Sequence, residues 1–145
     1  MAFFDWEDAF GVGVLGIDQQ HQRLIALINQ LHDAIERSNE LATLESVLSE
    51  LAAVTSVVDE LISYTQYHFS TEEGHMLQYA YPGYDEHKAE HEQFVGKVQD
   101  FRRRFDKQKT RLSLDIAEFL MNWWRGHILN SDKKCGAFLC EKGLR

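Results

Sequence analysis

Five histidines and two carboxylates fall on the apolar faces of segments that read as helices, and few folds can accommodate all seven. In chain order they are His21, His68 with Glu72, His87 with His91, and His127 with Asp132. Residues four apart on an α-helix lie one above the other, so His68 pairs with Glu72 and His87 with His91. A single inward imidazole is more often a hydrogen-bonded core residue than a ligand. Five of them on the inward faces of four helices would each need a polar partner in the interior, and a shared metal centre supplies one to all. Imidazole and carboxylate without cysteine suit iron, manganese or zinc. One structural zinc takes four ligands and would strand the other three.

The segments that carry these residues have helical periodicity. The first runs from about Asp18 to Ser38, with His21, Leu24, Ile28, Leu31 and Ile35 on one face. Asp18 is its expected N-cap, after the glycines 11, 13 and 16. The second ends near Tyr79 and carries the stripe Val54, Val58, Leu61, Thr65, His68, Glu72 and Met76. The third starts near Tyr84, after Tyr81-Pro82-Gly83, with His87, His91, Phe94, Val98, Phe101 and Phe105 inward. The fourth spans about Thr110 to Asn130, with Ile116, Phe119, Trp123 and His127 inward. Pro82 is the sole proline and strand signals are sparse. Short connections between such segments predict an all-α, up-down-up-down four-helix bundle with an N-terminal arm and a short C-terminal tail. The 145 residues fit one domain over 1–145. Residues Asn39 to Glu50 exceed what matched helix arms require. They either prolong the first two helices or form a separate turn.

Four helices facing one axis can bring their ligands together without strain. Two octahedral ions offer about twelve positions. If both carboxylates and one further oxygen bridge the ions, they and five imidazoles fill all but one. Such a centre has room for a small ligand and little room for a second substrate. Asp132 is the difficult member, because five residues after His127 a continuous helix points it away. The helix must end or bend near Asn130-Ser131 for it to turn back, and Asn130 is a reasonable breaker.

Charge and termini narrow the partners. The formal net charge of −8 argues against nucleic acid and anionic membranes. No apolar stretch approaches membrane-spanning length, and Met1-Ala2-Phe3-Phe4 does not read as a signal peptide, so the expected location is cytoplasmic. Cys135 and Cys140 are expected to be free thiols there. His32 lies eleven residues beyond His21, about 16 Å along the helix, and is read as structural. His75 completes a Glu72-x-x-His75 motif like that of ferritin-type oxidases. No second copy follows in the third or fourth helix, so that class fails and His75 is read as surface or secondary. Trp6, Trp124 and the tyrosines are read as packing or surface residues.

Taken together, Gly16-Ile17-Asp18-Gln19-Gln20-His21, His68-Phe69-Ser70-Thr71-Glu72-Glu73, Tyr81-Pro82-Gly83, His87-Lys88-Ala89-Glu90-His91 and His127 through Asp132 resemble bacterial hemerythrin over nearly the whole chain. The resemblance implies a non-haem centre of two iron ions bridged by an oxo or hydroxo group. It implies that His87, His91 and His127 hold a filled iron and that His21 and His68 hold one with an open position. Glu72 and Asp132 would bridge the two. It further implies reversible O2 binding at the open iron, for transport, storage or delivery, rather than enzymatic turnover. In that reading Leu24, Phe69, Trp123 and Ile128 wall the vacancy against water.

An oxygen or redox sensor acting in trans on a partner is the alternative, favoured by the 39–50 surplus and the two cysteines. A peroxide- or nitric-oxide-reducing enzyme is a third reading, disfavoured by the nearly full ligand shell. Two departures from the family pattern stand out. The surplus between the first two helices adds about three turns, and Cys135 occupies a place where an aromatic residue is common.

Overall fold

The computed structural model describes residues 2–40, 44–108 and 114–145. After a short 3-10 turn at Asp8–Phe10 come α1 (Leu15–Glu40), α2 (Leu44–Gln78), α3 (Tyr84–Gln108) and α4 (Asp115–His127). A π-helical segment, Ile128–Asp132, then leads without a break into α5 (Lys133–Glu141). The last three pieces form one continuous rod, so the architecture is the expected four-helix bundle. The supposed C-terminal tail is helical and completes the fourth rod. No described helix is long and apolar enough to cross a membrane.

The surplus residues lengthen the helices. α1 continues to Glu40 and α2 already begins at Leu44, while 41–43 lie outside the described residues. The expected start of the fourth helix at Thr110 also lies outside them. The inward stripes of α1 and α2 are those read from the sequence, and all of their members are buried. In α3 the stripe holds except that Phe101 is half-buried.

The fourth rod corrects the reading by one residue. Its buried stripe is Ala117, Leu120, Trp124 and His127, whereas Ile116, Phe119 and Trp123 are half-buried at its flank. Both patterns contain His127 and both have helical spacing. All the competing positions are apolar, so periodicity alone could not choose between them. The flank packs on α3: the rings of Trp123 and Phe119 stack on Phe94 at 4.1 and 6.2 Å.

The turn from α2 to α3 sets the register of their ligands. The Tyr81 N–H donates to the Met76 carbonyl at 2.8 Å and the Ala80 N–H to that of Leu77 at 3.3 Å, closing the end of α2 as a Schellman motif. Ala80 takes the left-handed conformation this requires, with φ 54°. Pro82 then prevents the helix from continuing.

Asp18 is not an N-cap, because α1 starts three residues earlier. Its Oδ1 instead accepts the Val12 N–H at 2.9 Å and ties the N-terminal arm to the bundle. That arm lies against α5. Lys133 Nζ donates to the Gly11 carbonyl at 2.7 Å, and a Cβ on Gly136 would stand 2.3 Å from the Val12 carbonyl oxygen. Only glycine permits that approach.

Candidate metal centre

All four rods contribute to one buried cluster. α1 supplies His21, α2 supplies His68 and Glu72, α3 supplies His87 and His91, and the last rod supplies His127 and Asp132. All seven are buried. They divide into two overlapping sets. One comprises Glu72, His87, His91, His127 and Asp132, and the other His21, His68, Glu72 and Asp132, each with ligand atoms lying within 4.8 Å of one another. The two carboxylates belong to both.

Asp132 reaches the cluster by a route the sequence did not suggest. The helix does not end at Asn130. It widens: the Lys133 N–H donates to the Ile128 carbonyl, five residues back. On an α-helix a residue five positions further on lies about 140° round the axis. A π turn brings it back to the same face, which is why such bulges recur at functional sites. Asn130 stays within the helical path, its amide donating to the Gly126 carbonyl at 2.8 Å.

The geometry around Asp132 is that of a bridge. Its Oδ1 lies 3.0 Å from His87 Nε2 and 3.1 Å from His127 Nε2, while its Oδ2 lies 3.0 Å from His21 Nε2. Glu72 Oε1 is 3.1 Å from His68 Nε2 and 3.5 Å from His91 Nε2. Yet among the described residues the inward nitrogens of His21, His68 and His87, and all four carboxylate oxygens, have no hydrogen-bond partner. Buried polar atoms are seldom left so. Their common aim toward two shared points fits cations.

The outward imidazole nitrogens are held differently in the two sets. His91 Nδ1 donates to Glu73 at 2.9 Å and His127 Nδ1 to Glu90 at 3.0 Å. The Ser131 hydroxyl donates to the same Glu90 oxygen at 2.6 Å. In the smaller set, His68 Nδ1 donates to the neutral Gln20 at 2.7 Å, and His21 Nδ1 has no partner. Such outer contacts fix ring orientation and raise ligand basicity.

Electrostatics show what the cluster prefers. Burial and the neighbouring Asp132 push the Glu72 carboxyl up, but His68 and His91 outweigh them and hold it at about 2. Burial likewise opposes ionisation of Asp132, and His127 with His21 keeps it well below the usual carboxylate range. Burial pulls His127 down, while Asp132, Glu72 and Glu90 raise it to about 9. His21 is raised by the same balance, whereas His68 is lowered because burial prevails. Two ionised carboxylates thus hold protons on nearby imidazoles that a metal cation would replace.

The surrounding wall is aromatic. Leu24, Phe69 and Ile128 are buried as expected. Phe69 stacks flat on His91 at 3.7 Å. Trp123 stacks on His127 at 4.4 Å, on the larger set, and is only half-buried. The ring beside the smaller set is Trp124, fully buried at 6.0 Å from His21 and 5.7 Å from His68. Sequence reasoning had assigned it to general packing, and only the one-residue change of stripe reveals it. His32 stacks on Phe3 at 4.1 Å, remote from the cluster, and His75 joins neither set.

A family model for the hemerythrin HHE cation binding domain matches residues 12–139. The chain belongs to the hemerythrin family. It is 35% identical over 133 residues to the bacteriohemerythrin of Stenotrophomonas maltophilia, covering 92% of this chain and 79% of that one. It is 31% identical over 140 residues to the bacteriohemerythrin of Methylococcus capsulatus, covering 96% and 98%. A crystal structure of wild-type hemerythrin superimposes with a TM-score of 0.82 at 30% identity, covering 95% of this chain and 98% of that one. Family membership and the buried His/Glu/Asp cluster together make this a non-haem iron-binding hemerythrin.

Proposed function

We propose that the chain is a di-iron protein that binds O2 reversibly, for carriage, storage or local delivery, and is not an enzyme. The observation that carries this reading is the unequal division of ligands. Five residues surround one metal position and four the other, with Glu72 and Asp132 common to both. His87, His91 and His127 would saturate one iron, while His21 and His68 would leave a place on the second. A ferrous pair supplies the two electrons that O2 takes up on binding and returns on release.

The chain's own residues then keep the event reversible. Leu24, Phe69, Trp124 and Ile128 exclude water from the open side, with Trp123 closing the wall over His127. Glu73 and Glu90 orient His91 and His127. Cys135 gives a sensor little support. Burial, with Glu72 and Asp132 adding to it, pushes the Cys135 thiol up and away from the reactive thiolate, and the described residues of the 39–50 surplus lie within α1 and α2.

The test is spectroscopic. Reduced, iron-loaded protein exposed to air develops a visible charge-transfer band that disappears under vacuum and returns over repeated cycles. Irreversible oxidation of the iron in the first mixing would rule out carriage.

A further inference from the structure

Trp124 carries an indole N–H that is fully buried and has no acceptor among the described residues. Indole nitrogen can only donate, and a buried tryptophan usually finds a partner for it. Leaving it unpaired is unfavourable. Most of the other unpartnered atoms in this interior are the metal-facing ones of the cluster, which a cation satisfies. A cation offers nothing to an N–H. The ring neighbours offer nothing either: Phe69 and Phe94 each lie 5.5 Å away, and the inward nitrogens of His21 and His68 are directed at the metal position.

The position of the indole indicates its missing partner. Its ring lies 5.7 Å from His68 and 6.0 Å from His21, both histidines of the four-ligand set, on which a coordination place would remain, and 6.1 Å from His127 of the other set. We infer that the Trp124 N–H donates a hydrogen bond to the small ligand held beside His21 and His68. This rests on the functional reading above. The chemistry selected is a diatomic or triatomic ligand whose far atom carries a lone pair and gains negative charge on binding. A donor in a water-excluded pocket strengthens such a contact, whereas a purely apolar wall would treat charged and neutral ligands alike.

The probe is azide, a linear anion, added to the iron-loaded ferric protein. Trp124→Phe keeps an aromatic ring and removes the donor. With iron content equal to that of the parent, it should weaken azide binding about tenfold in a visible titration, while Trp6→Phe leaves the affinity unchanged. A second measurement needs no variant. In a crystal structure of the azide-saturated parent protein, Trp124 Nε1 should lie within about 3.2 Å of the azide. An unchanged affinity in an iron-loaded Trp124→Phe protein, or an indole N–H directed at a buried water instead, overturns the inference and leaves the functional reading standing. A parent chain that takes up no iron pair defeats the functional reading, and this inference with it.

Discussion

The two halves of the metal centre are built from the same layer of the same bundle, and they differ in how firmly they hold their imidazoles. In the three-histidine half, carboxylates stand behind His91 and His127, and Ser131 anchors one of those carboxylates in turn. In the two-histidine half, His68 leans on a neutral amide, His21 has nothing behind it, and an indole lies against both rings. One half is arranged to fill and stiffen a coordination shell. The other holds its imidazoles with fewer constraints. A bundle can thus make two unlike sites from like residues by varying what lies one layer out.

The largest expected effect removes the link between the halves. Asp132→Ala deprives both positions of a ligand and should lower iron content from two to below one per chain, measured by elemental analysis. His32→Ala, on the same helix as His21 but outside the cluster, should leave iron content unchanged. An equal loss in both variants would show that the ligand set is wrong.

A smaller effect separates the halves. Glu90→Gln weakens the support of His127 and should cost about tenfold in metal affinity. Gln20→Ala touches only the neutral partner of His68 and should cost less. Chelator competition on the two variants measures the order, and the reverse order would refute the idea that the three-histidine half is the more tightly held.

Acidity sharpens the contrast further. In metal-free protein His127 is raised from its ordinary value to about 9, whereas His68 is lowered. A group raised on folding stabilises the fold fully below its unfolded value, and that contribution fades as pH rises through the folded one. Metal-free protein should therefore lose thermal stability between about pH 6.5 and 9. Iron-loaded protein should not, because the metal requires the imidazole unprotonated. Differential scanning of both forms across that range decides the point, and parallel behaviour would place the proton elsewhere.

The sequence displayed most of the fold and all seven cluster residues, because helical periodicity and the four-residue spacing survive without tertiary information. It was silent where the outcome depended on a choice between equivalent local patterns. The inward stripe of α4 could include Trp123 or Trp124 with equal periodicity, and packing of Phe94 against Trp123 settled it. The widening of the helix at Ile128–Asp132 has no composition signal, since every residue there is compatible with an ordinary turn; the π-helical segment brings Asp132 inward. Gln20, Glu73 and Glu90 each adjoin a ligand in sequence, yet Gln20 supports a histidine of α2, Glu73 one of α3, and Glu90 one of α4. Those pairings exist only once the helices are packed.

The most direct test is an iron-edge anomalous diffraction map of the iron-loaded protein. Two peaks should appear, both in contact with Glu72 and Asp132, one completed by His87, His91 and His127 and the other by His21 and His68 alone. A single peak, or two peaks with equal numbers of histidines, would contradict the unequal pair on which the account rests.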